Sequence, residues 1–149
     1  MDLILWRHAE AEQGGPDAYR HLTEKGLEQA KKVGAWLKSR VREYQIFSSP
    51  AERAKETAAA LDGRFGILKE LYGNAPPASL LEVVGWPGKE GTVILVGHQP
   101  QLGEVAAFLM TRSAEPWGVK KGAIWWFKTG REGGRLLTEL VAVIPPKLA

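Results

Sequence analysis

The chain has 149 residues, enough for one hydrophobic core without disulfides or metals to staple it. It contains no cysteine, which removes disulfides, thiolate nucleophiles and cysteine-ligated metal centres, and its net charge of +3 is spread over interspersed Lys, Arg, Asp and Glu, with no basic block of the kind that binds nucleic acid. No apolar run approaches the roughly 20 residues of a membrane span, and the first residues lack the basic leader and cleavage site of a signal peptide, so a cytoplasmic protein is expected.

Leu3 to Trp6 form a bare apolar tetrapeptide that reads as a short buried strand, with Trp6 in the core. Arg7 and His8 follow at once. Both are costly to desolvate, so the strand must end at water or deliver them to something that balances their polarity. Thr23 in LTEKG is an N-cap signal, and Leu27, Ala30, Val33, Gly34 and Leu37 recur at helical spacing, which predicts a helix over about 24–39. Gln45 to Phe47 read as a second strand. In SSPAER, Ser49 is placed to cap, Pro50 to open and Glu52 to complete a capping box for a helix reaching about Leu61.

Phe65 to Leu68 suit a short strand, YGNAPPAS (72–79) a turn-rich connection, and Leu80, Leu81 and Val84 one face of a short helix that GWPGKEG ends. TVILVG (92–97) is the clearest strand. Pro100 then opens a helix carrying Leu102, Val105, Ala106 and Leu109 inward. Ala123 to Phe127 and Leu136 to Val143, separated by TGREGG, read as a terminal hairpin in which Trp125 and Trp126 face opposite sides, one in the core and one half-exposed. Strands alternating with helices and followed by strands predict an α/β sandwich around a mainly parallel sheet with an antiparallel edge.

In such sheets ligands gather beyond the carboxyl ends of the strands. Arg7 and His8 follow the first strand, Arg53 lies in the first turn of the helix after the second, and His98 follows TVILVG. Two arginines and two histidines from three parts of the chain are thereby aimed at one place. Guanidinium forks match tetrahedral oxyanions bidentately, and a neutral imidazole can attack phosphorus once its other nitrogen is held by an acceptor. That combination points to phosphoryl chemistry. His21, by contrast, is expected at the surface without a catalytic role.

RHA at 7–9, SSPAERAKETA at 48–58 and VGHQP at 96–100 resemble, in order, the three signatures of the histidine phosphatase superfamily. RHAEAE with RHLTEKGLEQA is similar to its small phosphohistidine phosphatase branch, the SixA proteins. The similarity runs from Leu3 to about Leu109. It implies a phosphoglycerate-mutase-like three-layer α/β/α sandwich with residues 1–149 as a single domain. It further implies His8 as a nucleophile forming a transient phosphohistidine, with Arg7, Arg53 and His98 binding the phosphoryl oxygens and no cofactor or metal. Ala9 departs from the commoner glycine and Gln99 from a frequent asparagine. For the proton donor that the family usually supplies, Glu70 in LKELYG is the first candidate, with Glu10 and Asp17 as the others.

The substrate implied by the branch is phosphohistidine on a protein. Only 73–79 and 111–121 offer material for a lid, too little to enclose a nucleotide or sugar, and an open site suits a phosphorylated protein partner. The alternatives are a small phosphomonoester hydrolysed by the same chemistry, or a phosphate-binding module without turnover. A metal-dependent phosphohydrolase using His8 and His98 as ligands is disfavoured, because the neighbouring arginines repel cations.

Overall fold

The computed structural model describes residues 1–149. Its elements are β1 (Asp2–Arg7), α1 (Glu24–Lys38), β2 (Gln45–Ser48), α2 (Glu52–Ala59) and the two-residue β3 (Gly66–Ile67), then α3 (Pro77–Val83), β4 (Thr92–Gly97), α4 (Gln101–Thr111), β5 (Ile124–Glu132) and β6 (Arg135–Ile144). They build one sheet in the order β3-β2-β4-β1-β5-β6. The first four strands are mutually parallel; β5 runs antiparallel to β1, and β6 antiparallel to β5.

The continuous apolar runs LILW and VILV are explained by burial on both faces. Leu3, Leu5, Val93 and Leu95 pack with Leu80 of α3 and Leu102, Val105 and Leu109 of α4. The alternate residues Ile4, Trp6, Ile94 and Val96 pack on the other face with Val33 and Leu37 of α1 and Ala54 and Ala58 of α2. Each such side chain stabilises the fold by about 1.5–3 kcal/mol when fully buried. A one-residue slip would turn each set to the wrong face and draw Arg7 inward, so the register is fixed. That register sets β1 level with β4, Arg7 beside Gly97, and β2 level with β4, Ser48 beside Val96. The three strands therefore end together, and whatever follows them meets.

Three local expectations are corrected. The helix after β2 starts at Glu52 and ends at Ala59 rather than spanning Pro50 to Leu61. The Ser49 hydroxyl accepts from the Ala51 N–H at 3.1 Å, the span of an N-cap bond, but Ala51 stays extended, so the bond closes a turn ahead of the helix instead of capping it. The hairpin strands are also longer than predicted. Gly133 and Gly134, at φ +57° and +77°, make a two-residue turn on their own, so Thr129 to Glu132 join the ladder. Trp125 and Trp126 do face opposite sides, but both are half-buried, one packed on Trp117 and the other edge-on to Trp36. The strand that carries them lies next to the sheet edge, where helix cover is incomplete.

Candidate active site

Beyond the level strand ends lies a cavity of about 270 Å³ whose lining includes Arg7, His8, Arg20, Arg53, His98 and Lys121. All four residues singled out by the strand-end argument are thus brought together, with two further cations. The His8 and His98 rings lie 5.1 Å apart between centroids. The helix-borne Arg53 is almost fully buried, a placement that an arginine does not adopt without partners.

His8 is fixed by its own chain. Its N–H reaches the Gly97 carbonyl at 3.0 Å, and its Nδ1 stands 2.7 Å from the Ala9 carbonyl oxygen. A carbonyl can only accept, so Nδ1 carries the proton and Nε2 keeps its lone pair. The backbone is tied on the other side by Thr57, fully buried on α2, whose hydroxyl accepts from the Ala9 N–H and donates to the Arg53 carbonyl. Ala9 is itself fully buried. Of the residues with positive φ it is not one, so alanine meets no backbone strain where the family commonly has glycine.

His98 is held by Ser49, with Nε2 and Oγ 2.7 Å apart. The serine read from the sequence as a helix cap is therefore a site residue. Gln99 pins the approach to the site from both sides. Its Nε2 donates to the Trp117 carbonyl at 2.8 Å, and its Oε1 accepts from the Gly103 N–H at 2.7 Å.

Sequence reasoning also missed Arg20 and Tyr72, which meet at Asp17. The Asp17 carboxylate accepts from the Tyr72 hydroxyl at 2.6 Å, from Arg53 at 3.1 Å and from Arg20 at 3.2 Å, while its carbonyl accepts a second bond from Arg53 at 2.7 Å. Tyr72 in turn packs its ring 5.4 Å from that of His98. The loop between β1 and α1 is thereby strapped to α2 and to the segment before α3. RHL at 20–22 was the only sequence signal for Arg20, and Tyr72 had none, because both act through a neighbour remote in sequence.

The electrostatics follow from this packing. Burial, reinforced by Arg53 and Arg7, pushes the His8 imidazole down to about 4, although its bond to Ala9 opposes the shift. His98 is pushed down to about 3, first by burial and then by His8 and Arg53. Both rings are neutral at pH 7. The Tyr72 hydroxyl, followed by Arg53, holds the Asp17 carboxyl well below the usual carboxylate range. Arg7 Nε, Arg53 Nε and His98 Nδ1 are buried with no hydrogen-bond partner. Orphaned buried donors are rare and costly, and the two arginine Nε belong to residues that line the cavity, whose guanidinium charges suit acceptor oxygens.

The acid candidates fare differently. Glu70 lies on the 3-10 turn Lys69–Leu71 and does not line the cavity; its carbonyl accepts from Gln101 at 2.7 Å, while its carboxylate makes no hydrogen bond. The fully buried Leu71 orients that turn toward the core, and the next residue, Tyr72, is the one that reaches the site. Glu10 turns toward α1 and accepts from the Thr23 hydroxyl at 2.8 Å. Asp17 is close to the chemistry but committed as an anion. No group of three or more His, Asp or Glu side chains is arranged to hold a metal ion.

Comparison with known proteins agrees with this geometry. The family model for the histidine phosphatase superfamily, branch 1, matches residues 3–72. An uncharacterised protein of Picosynechococcus is 31% identical over 142 residues, covering 87% of this chain and 86% of that one. A solved chain described as a phosphohistidine phosphatase, SixA, from Nakamurella multipartitia is 27% identical, with a TM-score of 0.76 and coverage of 97% of this chain and 95% of that one. At 18% identity, a chain described as an alpha-ribazole-5'-P phosphatase from Escherichia coli shares the fold, with a TM-score of 0.79 over 100% of this chain and 99% of that one. The sheet is that of the phosphoglycerate-mutase-like proteins, and its strand ends present the signature residues: the chain belongs to the histidine phosphatase superfamily and is a phosphatase.

Proposed function

We propose that the chain hydrolyses phosphohistidine on a partner protein through a covalent intermediate on His8. The observation that carries the chemistry is the state of that imidazole, neutral at pH 7 with its proton fixed on Nδ1 by the Ala9 carbonyl. Arg7 and Arg53 bind the phosphoryl oxygens, with His98 as a third donor. His8 Nε2 forms a bond to phosphorus as the bond from phosphorus to the substrate imidazole breaks; that nitrogen keeps the electron pair and takes a proton from solvent. Water then attacks phosphorus, the P–N electron pair returns to Nε2, and the proton lost by water leaves with phosphate or solvent.

The acid candidates support a phosphohistidine substrate. An alkoxide leaves slowly without a proton donor, whereas imidazole leaves readily, and neither Glu70 nor Glu10 faces the cavity while Asp17 stays ionised. Size points the same way. About 270 Å³ lined mostly by polar groups accommodates a phosphoryl group but does not surround a metabolite. The solved chain of Nakamurella multipartitia, 27% identical, carries the description phosphohistidine phosphatase SixA.

The test is rapid quenching with a labelled phosphohistidine domain, alongside kcat/KM for that domain and for a panel of small phosphomonoesters. The expected result is an acid-labile label on His8, lost in His8→Ala together with turnover, and the highest kcat/KM on the protein substrate. A metabolite hydrolysed about a hundredfold faster than every phosphohistidine protein, a gap of roughly 2.7 kcal/mol in transition-state binding, would assign the site to small molecules.

A further inference from the structure

Next to the catalytic cavity is a second one of about 460 Å³, lined by Lys25, Lys120, Lys121 and Lys147 together with Glu10 and Gln29. None of the four lysines has an ion-pair partner. The one acidic group, Glu10, spends a carboxylate oxygen on the Thr23 hydroxyl. Lys121 lines both cavities, so the two adjoin across its side chain.

The cluster is assembled from three distant segments and is tied to the nucleophile. Gly122 donates its N–H to the carbonyls of Arg7 and His8 at 3.1 Å each, and the Ala123 N–H closes the turn on the Lys120 carbonyl at 3.0 Å. At φ +76° Gly122 fits where a Cβ would come within 2.9 Å of Pro146 Cγ and 3.4 Å of Gln29 Cβ. That junction locks the Lys120–Lys121 turn to α1 and to the turn carrying Lys147. Four like charges held around one cavity repel one another, and an anion seated among them relieves that repulsion.

Resting on the function proposed above, we propose that this lysine cavity is a docking site for acidic side chains that flank the phosphohistidine on the partner protein. A phosphorylated histidine placed over His8 brings the surface around it against the wall that Lys121 shares. The four lysines are solvent-exposed, so their contribution is expected in encounter rate and salt dependence more than in the chemical step.

The experiment compares the wild type with Lys25→Glu/Lys120→Glu/Lys147→Glu, leaving Lys121 intact because it lines the catalytic cavity. The substrates are a phosphohistidine domain with Asp and Glu around its histidine, the same domain with those residues changed to Asn and Gln, and a small aryl phosphate. On the acidic domain the variant is expected to lose at least about tenfold in kcat/KM, with kcat at saturation preserved. It should match the wild type on the neutralised domain and on the aryl phosphate. Raising salt from about 0.05 to about 0.3 M should slow the wild type on the acidic domain and leave the variant nearly unaffected.

Unchanged kcat/KM on the acidic domain, or an equal loss on all three substrates, overturns the docking role while leaving the phosphohistidine reading intact. A wild type that hydrolyses the aryl phosphate but neither domain overturns that reading and the docking role with it.

Discussion

At the scale of single residues, the site divides into groups that face the phosphoryl position and groups that hold them. Ser49 belongs to the second kind, since its hydroxyl restrains the His98 ring. Ser49→Ala is expected to lower kcat about fivefold, the equivalent of one buried hydrogen bond of roughly 1 kcal/mol, with KM little changed and the fold intact. Steady-state kinetics beside a thermal melt separates this from simple destabilisation. The acid question yields a second expectation. Because Glu70 does not line the cavity, Glu70→Gln should leave turnover of both a phosphohistidine domain and an alkyl phosphate unchanged. A selective loss on the alkyl phosphate would show that the turn at Lys69–Leu71 swings its carboxylate to the leaving group, and would restore the proton donor that the sequence suggested.

At the scale of elements, the close approaches are made by glycines. Gly122→Ala would force a side chain into a left-handed backbone conformation and against Pro146 while disturbing the N–H shared by the Arg7 and His8 carbonyls. A loss of about 1–3 kcal/mol in unfolding free energy by denaturant titration, with a larger fractional loss of activity, is the expected outcome. This scale also shows what the sequence displayed and what it hid. The strands around Leu3–Trp6 and Thr92–Gly97 were legible because burial on both faces leaves an unbroken apolar run, and the meeting of Arg7, His8, Arg53 and His98 followed from placing those residues at parallel strand ends. Tyr72, Arg20 and Ser49 were not legible as site residues. Tyr72 and Arg20 enter through Asp17, and Ser49 carries a local capping signal that its contact with His98 overrides. Glu70 is the converse case: chemical type and rough position suggested a donor, and the turn at Lys69–Leu71 leaves it outside the cavity lining.

At the scale of the whole molecule, the buried neutral histidines make the fold sensitive to acid. His8 and His98 are depressed from an ordinary value near 6.5 to about 4 and about 3, so between those limits the unfolded chain binds protons that the native state refuses. The unfolded state is then favoured as pH falls. Unfolding free energy should decline by up to about 1.4 kcal/mol per pH unit for each histidine once the pH drops below about 6.5, and should level off for each only near its native value. Asp17 contributes in a separate and lower window. Its carboxyl is depressed, so its share of stability is present above the ordinary carboxylate range and is lost only as the pH falls through that range toward its native value. Denaturant titrations at a series of pH values between 7 and 5 therefore isolate the histidines. In His8→Ala or His98→Ala one titrating group disappears and the slope should fall by about half; a slope identical to the wild type in both variants would mean that other groups carry the acid sensitivity. Binding of a phosphoryl dianion should oppose the same loss, because its negative charge beside the rings raises their affinity for protons. Sulfate, which stays a dianion at both pH values, is accordingly expected to raise the melting temperature more at pH 5 than at pH 7.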